Sequence, residues 1–139
     1  MADSSKDIVR TFLGAAQRGD MASVERLLHP EARIIEADSL PFGGMVSGFE
    51  GFTELVRRVF TTFANTAVTI DEYIAEGETV VVLATMTGHS KAGGEAFSMP
   101  ICEIWRLRDG LITEIRPFYH DTQKFNALAS GTVGTGHAP

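Results

Sequence analysis

One acidic residue stands on a strand face that is otherwise apolar. Every second residue from Phe97 reads Phe97, Met99, Ile101, Glu103, Trp105, Leu107, which places five large apolar side chains and one carboxylate on one face of a strand. A carboxylate enclosed that way either finds a partner or has its pKa driven up. Kept neutral near pH 7, it can donate its proton to a substrate. Glu36 follows Ile34 and Ile35, and Asp38 lies two residues on, on the same side of an extended chain. Two carboxylates facing one cavity could divide the roles of acid and base. Tyr119, His120 and Asp121 close the last strand-like segment, where a tyrosine or histidine could polarise a carbonyl or relay a proton.

Facing decides which of these groups meet. Arg116, Phe118 and His120 share one strand face, and Ile115, Pro117 and Tyr119 the other, unless a bulge at Pro117 exchanges them. A slip of one residue would put Cys102 in place of Glu103. The same residues also have ordinary structural explanations. Glu103 could pair with Arg106, Arg116 or His120 across a sheet, Glu36 could be an exposed strand end, and Tyr119 or His120 could be rim or dimer contacts. Among the aromatics, Phe42, Phe52 and Trp105 are the candidates to touch a ligand, and the rest read as core. His29, His89, His120 and His137 lack metal-ligand spacing, so no metal is expected. His29 reads as a helix C-terminal cap, Cys102 as a buried inert thiol, and Gly43-Gly44 as a turn rather than a phosphate cradle.

The elements that must position these residues follow from periodicity and turn signals. A helix starts after Ser4 or Ser5, carries Ile8, Val9, Phe12, Leu13 and Ala16, and ends at Gly19. Asp20 caps a short second helix through Leu28, and Pro30 stops it after His29. A strand is expected over Ala32 to Glu36, a loop or irregular edge over Ser39 to Gly48, and a third helix over Phe49 to Phe63. Strands over Ala67 to Ala75, Thr79 to His89, Glu95 to Arg108 and Leu111 to Tyr119 are separated by turns at Glu76-Gly77-Glu78, Ala92-Gly93-Gly94 and Asp109-Gly110. Residues 121 to 128 add a terminal helical turn. The order predicts an α+β fold, a cone-shaped curved antiparallel sheet with three N-terminal-half helices on its concave face.

The 139 residues read as a single domain over 1–128 with a flexible tail over 129–139. A net charge of -6 argues against a nucleic-acid partner. The absence of a long apolar run argues against a membrane span. The lone cysteine and the polar start from Met1 to Lys6 point to a cytoplasmic protein.

Gly19-Asp20, then His29-Pro30-Glu31-Ala32, then Ser39-Leu40-Pro41-Phe42-Gly43-Gly44 and Gly48, and finally the Glu103 to Ile112 hairpin resemble, in order and spacing, the nuclear transport factor two-like superfamily. Within it the chain looks like the polyketide-cyclase (SnoaL-like) and ketosteroid-isomerase branch, from Asp7 to Asp121. The resemblance implies homodimers through the outer sheet face, a cavity for a small hydrophobic molecule and no cofactor. It carries that branch's general-base aspartate onto Glu36 and its protonated acid onto Glu103. Its oxyanion-binding tyrosine falls on Phe12, which has no hydrogen to donate. The functions implied are isomerase or cyclase-type acid–base catalysis on a hydrophobic carbonyl compound, a non-catalytic ligand-binding or dimerisation module, or an epoxide-hydrolase-like activity drawing on Glu103 and Arg116.

Overall fold

Ser4 starts the first helix, its hydroxyl accepting the Asp7 backbone N–H at 3.1 Å and so satisfying one donor that a helix N-terminus leaves unpaired. In the computed structural model, which describes residues 4–91 and 94–130, α1 spans Ser5–Gln17 and buries Ile8, Val9, Phe12 and Ala15. Asp20 caps α2 (Met21–Leu27) by accepting from the Ser23 N–H and hydroxyl. β1 (Leu28–Glu36) follows with no loop between.

That junction corrects two expectations. The helix stops at Leu27, and His29 is no cap but a strand residue whose Nδ1 accepts the Glu31 N–H at 2.9 Å. Pro30 excludes its predecessor from the helical region, and Leu28 is already extended at ψ 128°. The segment expected as a loop or irregular edge holds β2 (Gly44–Ser47), paired antiparallel with β1. α3 (Gly48–Thr62) begins at a glycine with φ +67°, where a Cβ would stand 2.7 Å from the Pro30 carbonyl oxygen. No other residue type fits there without displacing β1.

Four long strands complete the sheet: β3 (Phe63–Glu76), β4 (Thr79–Ser90), β5 (Ala96–Arg108) and β6 (Leu111–Tyr119). β3 takes over directly from α3, so Phe63 is the first residue of a strand rather than the last of a helix. The expected terminal turn is a nine-residue helix, α4 (Thr122–Ser130). Residues 129 and 130 of the expected tail are therefore helical, while 131–139, like the Ala92-Gly93 part of one expected turn, lie outside the described residues.

The strand order is β2-β1-β6-β5-β4-β3. All pairs are antiparallel except β1 with β6, so the expected antiparallel sheet contains one parallel seam. The sheet curves around α1 and α3, giving the expected α+β cone. At its far end Phe125 of α4 fills the hollow, stacking on Phe63 at 4.9 Å and meeting Phe97 and Phe42 edge-on at 5.7 and 6.1 Å. Among the described residues, no helix is long and apolar enough to cross a membrane.

Candidate functional site

Register brings the two acids into one row. Glu103 on β5 pairs with Pro117 on β6, and the parallel match of Ile34 with Ile115 carries Glu36 on β1 to the other side of the same proline. Side chains in such a row share a face. The next row holds Ile34, Ile115 and Trp105. The bulge in β6 falls at Thr113, between the Leu107–Ile112 and Arg106–Glu114 pairs, and not at Pro117. Parity from Ile115 onward is therefore regular: Pro117 and Tyr119 face the concave side with Glu103, while Arg116, Phe118 and Cys102 face outward.

Among the described residues, each acid has one donor. The Tyr119 hydroxyl donates to Glu36 Oε1 at 2.7 Å, and the Trp105 indole N–H donates to Glu103 Oε1 at 3.1 Å. Glu36 is only 7% exposed. The accessible surface that Glu103 retains opens onto the cavity described below. Burial drives Glu36 from an ordinary value near 4.5 up to about 7, against the pull of the Tyr119 bond and with a further push from the charge of Glu103. Burial likewise drives Glu103 up to about 7, opposed by the Trp105 bond. Desolvation dominates both, because one neutral donor does not replace the hydration shell of a carboxylate. Tyr119 is pushed far above the ordinary tyrosine value by burial and by the two acids, so it acts as a hydroxyl donor throughout the physiological range.

Both carboxylates open onto a cavity of about 180 Å³ between the sheet and the helices. Its aromatic wall is Phe12, Phe52 and Trp105, with Phe12 edge-on to the other two rings at 5.2 and 5.4 Å. α3 contributes Leu55, Val56 and Val59, and Phe60 of the same helix, 53% exposed, marks the mouth. Among the described residues, no lysine, arginine or histidine lines this space, and no three His, Cys, Asp or Glu side chains are grouped to hold a metal. The polar wall is therefore two acids, each able to carry or lose a proton near neutral pH, against an apolar surround.

The structure brings together Glu36, Glu103, Phe12, Phe52 and Trp105 on the cavity wall, with Tyr119 behind Glu36. Four expected ligand contacts lie elsewhere. Asp38 is exposed in the turn after β1, where the strand has ended and alternation no longer applies. Phe42 is packed into the Phe63–Phe125 group at the far end of the cone. Arg116 points outward and pairs with Glu114 at 3.4 Å. His120, just past β6, lines an outer groove with Asp71 and Phe118. With Arg116 and Glu103 on opposite faces, the acid–arginine constellation expected of an epoxide-hydrolase-like site is not formed.

The cavity also uses residues that the sequence did not single out. Met86 and Val68 belong to inward strand positions and are visible in hindsight as part of the alternating pattern. Thr66 carried no signal. It sits at a bulge next to Asn65, whose φ is +55°, ahead of the expected start of β3. Its Oγ1 is shielded from solvent and has no hydrogen-bond partner among the described residues, a state that costs about 1–3 kcal/mol for a buried hydroxyl.

The SnoaL-like domain family matches residues 9–115. Among solved structures, the chain superposes on an NTF2-like protein of unknown function from Burkholderia pseudomallei at 26% identity, covering 92% of this chain and 99% of that one with a TM-score of 0.81. A candidate SnoaL-like polyketide cyclase from Jannaschia gives 24% identity over 88% and 92% of the two chains, with a TM-score of 0.72. A protein of ketosteroid isomerase-like fold from Catenulispora acidiphila, in complex with trimethylamine, gives 22% identity over 81% and 84%, with a TM-score of 0.68. No curated protein matches.

Proposed function

Since the chain belongs to the SnoaL-like domain family, we propose that it binds a small hydrophobic carbonyl compound in its cavity and catalyses proton transfer at the carbon next to the carbonyl, an isomerase or cyclase-type step. The observation that carries this reading is the pairing of Glu36 and Glu103 across Pro117 on one apolar cavity, each with a single neutral donor.

The two roles follow from the donors. The phenol bond to Glu36 is shorter than the indole bond to Glu103, and it favours the ionised form of Glu36. Repulsion lets the pair hold one shared proton near neutral pH, the charge of Glu103 raising Glu36, and the scheme uses the form in which the phenol-bound Glu36 is ionised and Glu103 carries that proton. Glu36 takes the α-proton, and the C–H electron pair moves into a carbon–carbon double bond. The carbonyl oxygen gains the charge and receives a hydrogen bond from the neutral Glu103 carboxyl. In a substrate with a neighbouring carbon–carbon double bond, Glu36 returns the proton to the far carbon of the dienolate and the double bond shifts; alternatively the enolate carbon attacks a second carbonyl, and the alkoxide so formed takes the proton from Glu36. Phe12 supplies no donor, so in this scheme Tyr119 is the only phenol, and it acts through Glu36.

The test is hydrogen–deuterium exchange at the α-carbon of small cyclic ketones in deuterated buffer, followed by NMR. The wild-type protein is expected to accelerate exchange, Glu36→Gln to lower the rate about 100-fold or more, and Glu103→Gln to lower it on the order of 100-fold. Exchange that is unaffected by Glu36→Gln overturns the assignment and favours the reading as a ligand-binding module.

The outer sheet face favours a homodimer. Ile74, Val81 and Ile104 form one cross-strand row, and Leu83, Cys102 and Phe118 another, with Ile74 and Phe118 about half exposed. Such a patch fits a second copy. Sedimentation of wild type and Phe118→Asp tests it, and a wild-type monomer rules it out.

A further inference from the structure

We infer that the cavity takes a compound of a single ring carrying an oxygen at each end. The inference rests on the acid–base reading for the chemistry at Glu36 and Glu103, and on the shape and polarity of the space for the rest. The volume of about 180 Å³ is close to the roughly 150 Å³ that accommodates a benzene ring and below the range of about 300–1,000 Å³ for sites of drug-sized ligands. A fused multi-ring skeleton exceeds that space and would have to extend past Phe60 at the mouth. The limit is built from rings packed on one another. Phe12 is fully buried and holds Phe52 and Trp105 edge-on at interplanar angles of 72° and 70°. The inner part of the wall, at Phe12 and Trp105, is therefore held by ring-on-ring packing.

The second oxygen follows from Thr66. Its side chain lines the same cavity from β3, the edge of the sheet remote from Glu36 on β1, with Glu103 on β5 between them. Its hydroxyl has no partner among the described residues, and a buried polar group in that state calls for an explanation. Rotation about χ1 exchanges the positions of its hydroxyl and methyl group. A ligand oxygen at this end supplies the missing partner, while the carbonyl meets the acids at the other. A ring with para-related oxygens has the required polarity at both ends.

Trp105 is the only tryptophan of the chain, and it forms part of the cavity wall, so its emission reports occupancy. The experiment titrates the native protein with cyclohexanone, with para-hydroxycyclohexanone and with a four-ring steroid ketone. Both cyclohexanones are expected to change the emission saturably, the para-hydroxy compound binding about tenfold more tightly, and the steroid is expected to give no saturable change. Thr66→Val should abolish the tenfold preference, and Thr66→Ser should retain it. Saturable binding of the steroid, no binding of either ring ketone, or an unaltered preference in a folded Thr66→Val protein each overturns the inference. Running the deuterium exchange on the same compounds separates the two readings. Ring ketones that bind without Glu36-dependent exchange remove the acid–base assignment and leave the size class standing. A steroid that binds with Glu36-dependent exchange does the reverse.

Discussion

The two ends of the cone are built from the same materials and finished differently. At the α4 end, Phe42, Phe63, Phe97 and Phe125 close on one another with centroids 4.9 to 6.3 Å apart. Toward α1 and α3, Phe12, Phe52 and Trp105 also meet ring to ring, yet a cavity of about 180 Å³ remains beside them. The difference is a plug. Phe125 enters one hollow from α4, and no side chain enters the other, where two carboxylates occupy strand positions that elsewhere hold Ile, Val or Met. An apolar interior gains by filling space. The unfilled end with its acids gives up stability that the filled end retains, as functional sites commonly do.

Truncating each end should measure that difference. Phe125→Ala removes a fully buried ring from a packed group and is expected to cost about 3–5 kcal/mol in denaturant unfolding. Phe52→Ala removes a half-buried ring beside an existing void, so its neighbours lose fewer contacts and the cost should stay below about 2 kcal/mol. The same change should widen the cavity and admit larger ketones. Equal costs for the two substitutions would mean that the two ends are packed alike and that the comparison has no energetic content.

The acids give the second largest effect, and its sign is set by their raised pKa values. Between the ordinary value near 4.5 and about 7, the folded protein binds protons on Glu36 and Glu103 that the unfolded chain has already lost. Stability therefore falls as pH rises through that window, and the full penalty is present above it. For one such group the penalty is on the order of 3 kcal/mol. Glu103→Gln, which keeps the shape and still accepts the indole hydrogen bond, is expected to be more stable than wild type at pH 8 and no more stable near pH 4.5. A melting temperature that rises from pH 5 to pH 8 in wild type would contradict the burial of both groups.

How much of this could be read beforehand depended on what kind of physics positions each residue. The cone and Glu103 on the inner face come from alternation and turn signals, which are local, whereas alternation paired Glu36 with Asp38 and only the family resemblance set it with Glu103. Tyr119 needed only the parity of β6, and that parity was ambiguous because a bulge had to be placed. It fell at Thr113, where no proline or glycine announces it. Alternation puts Asp38 beside Glu36 only if the strand runs on past Glu36, where it ends, and nothing local shows that Phe125 covers Phe42. Thr66 was out of reach for the same reason. Its place depends on a left-handed Asn65 and on a cavity lined by four other strands and two helices. Local pattern tells which face a residue takes, and long-range packing decides whether that face is filled.

Tyr119 joins the two ends, and it allows the finest division between them. Its ring packs on Phe125 at 4.6 Å, and its hydroxyl holds Glu36 at 2.7 Å. Tyr119→Phe keeps the first contact and removes the second. If the filled end is stabilised by packing alone, the substitution leaves it intact, and the loss is confined to a buried carboxylate without its donor. That loss should be about 1–2 kcal/mol at pH 8, where Glu36 is charged, and smaller at pH 5, where it is neutral. Because the phenol bond holds the Glu36 pKa down against burial, its removal moves the ionisation of Glu36 further up. The acidic limb of the exchange rate shifts to higher pH with it, as carbon-13 NMR of the labelled carboxyl can follow directly. A structural role for Tyr119 alone would lower stability equally at both pH values and leave the limb where it was. A limb that moves while the Phe125 end keeps its protection against amide exchange assigns the hydroxyl to the cavity and the ring to the plug.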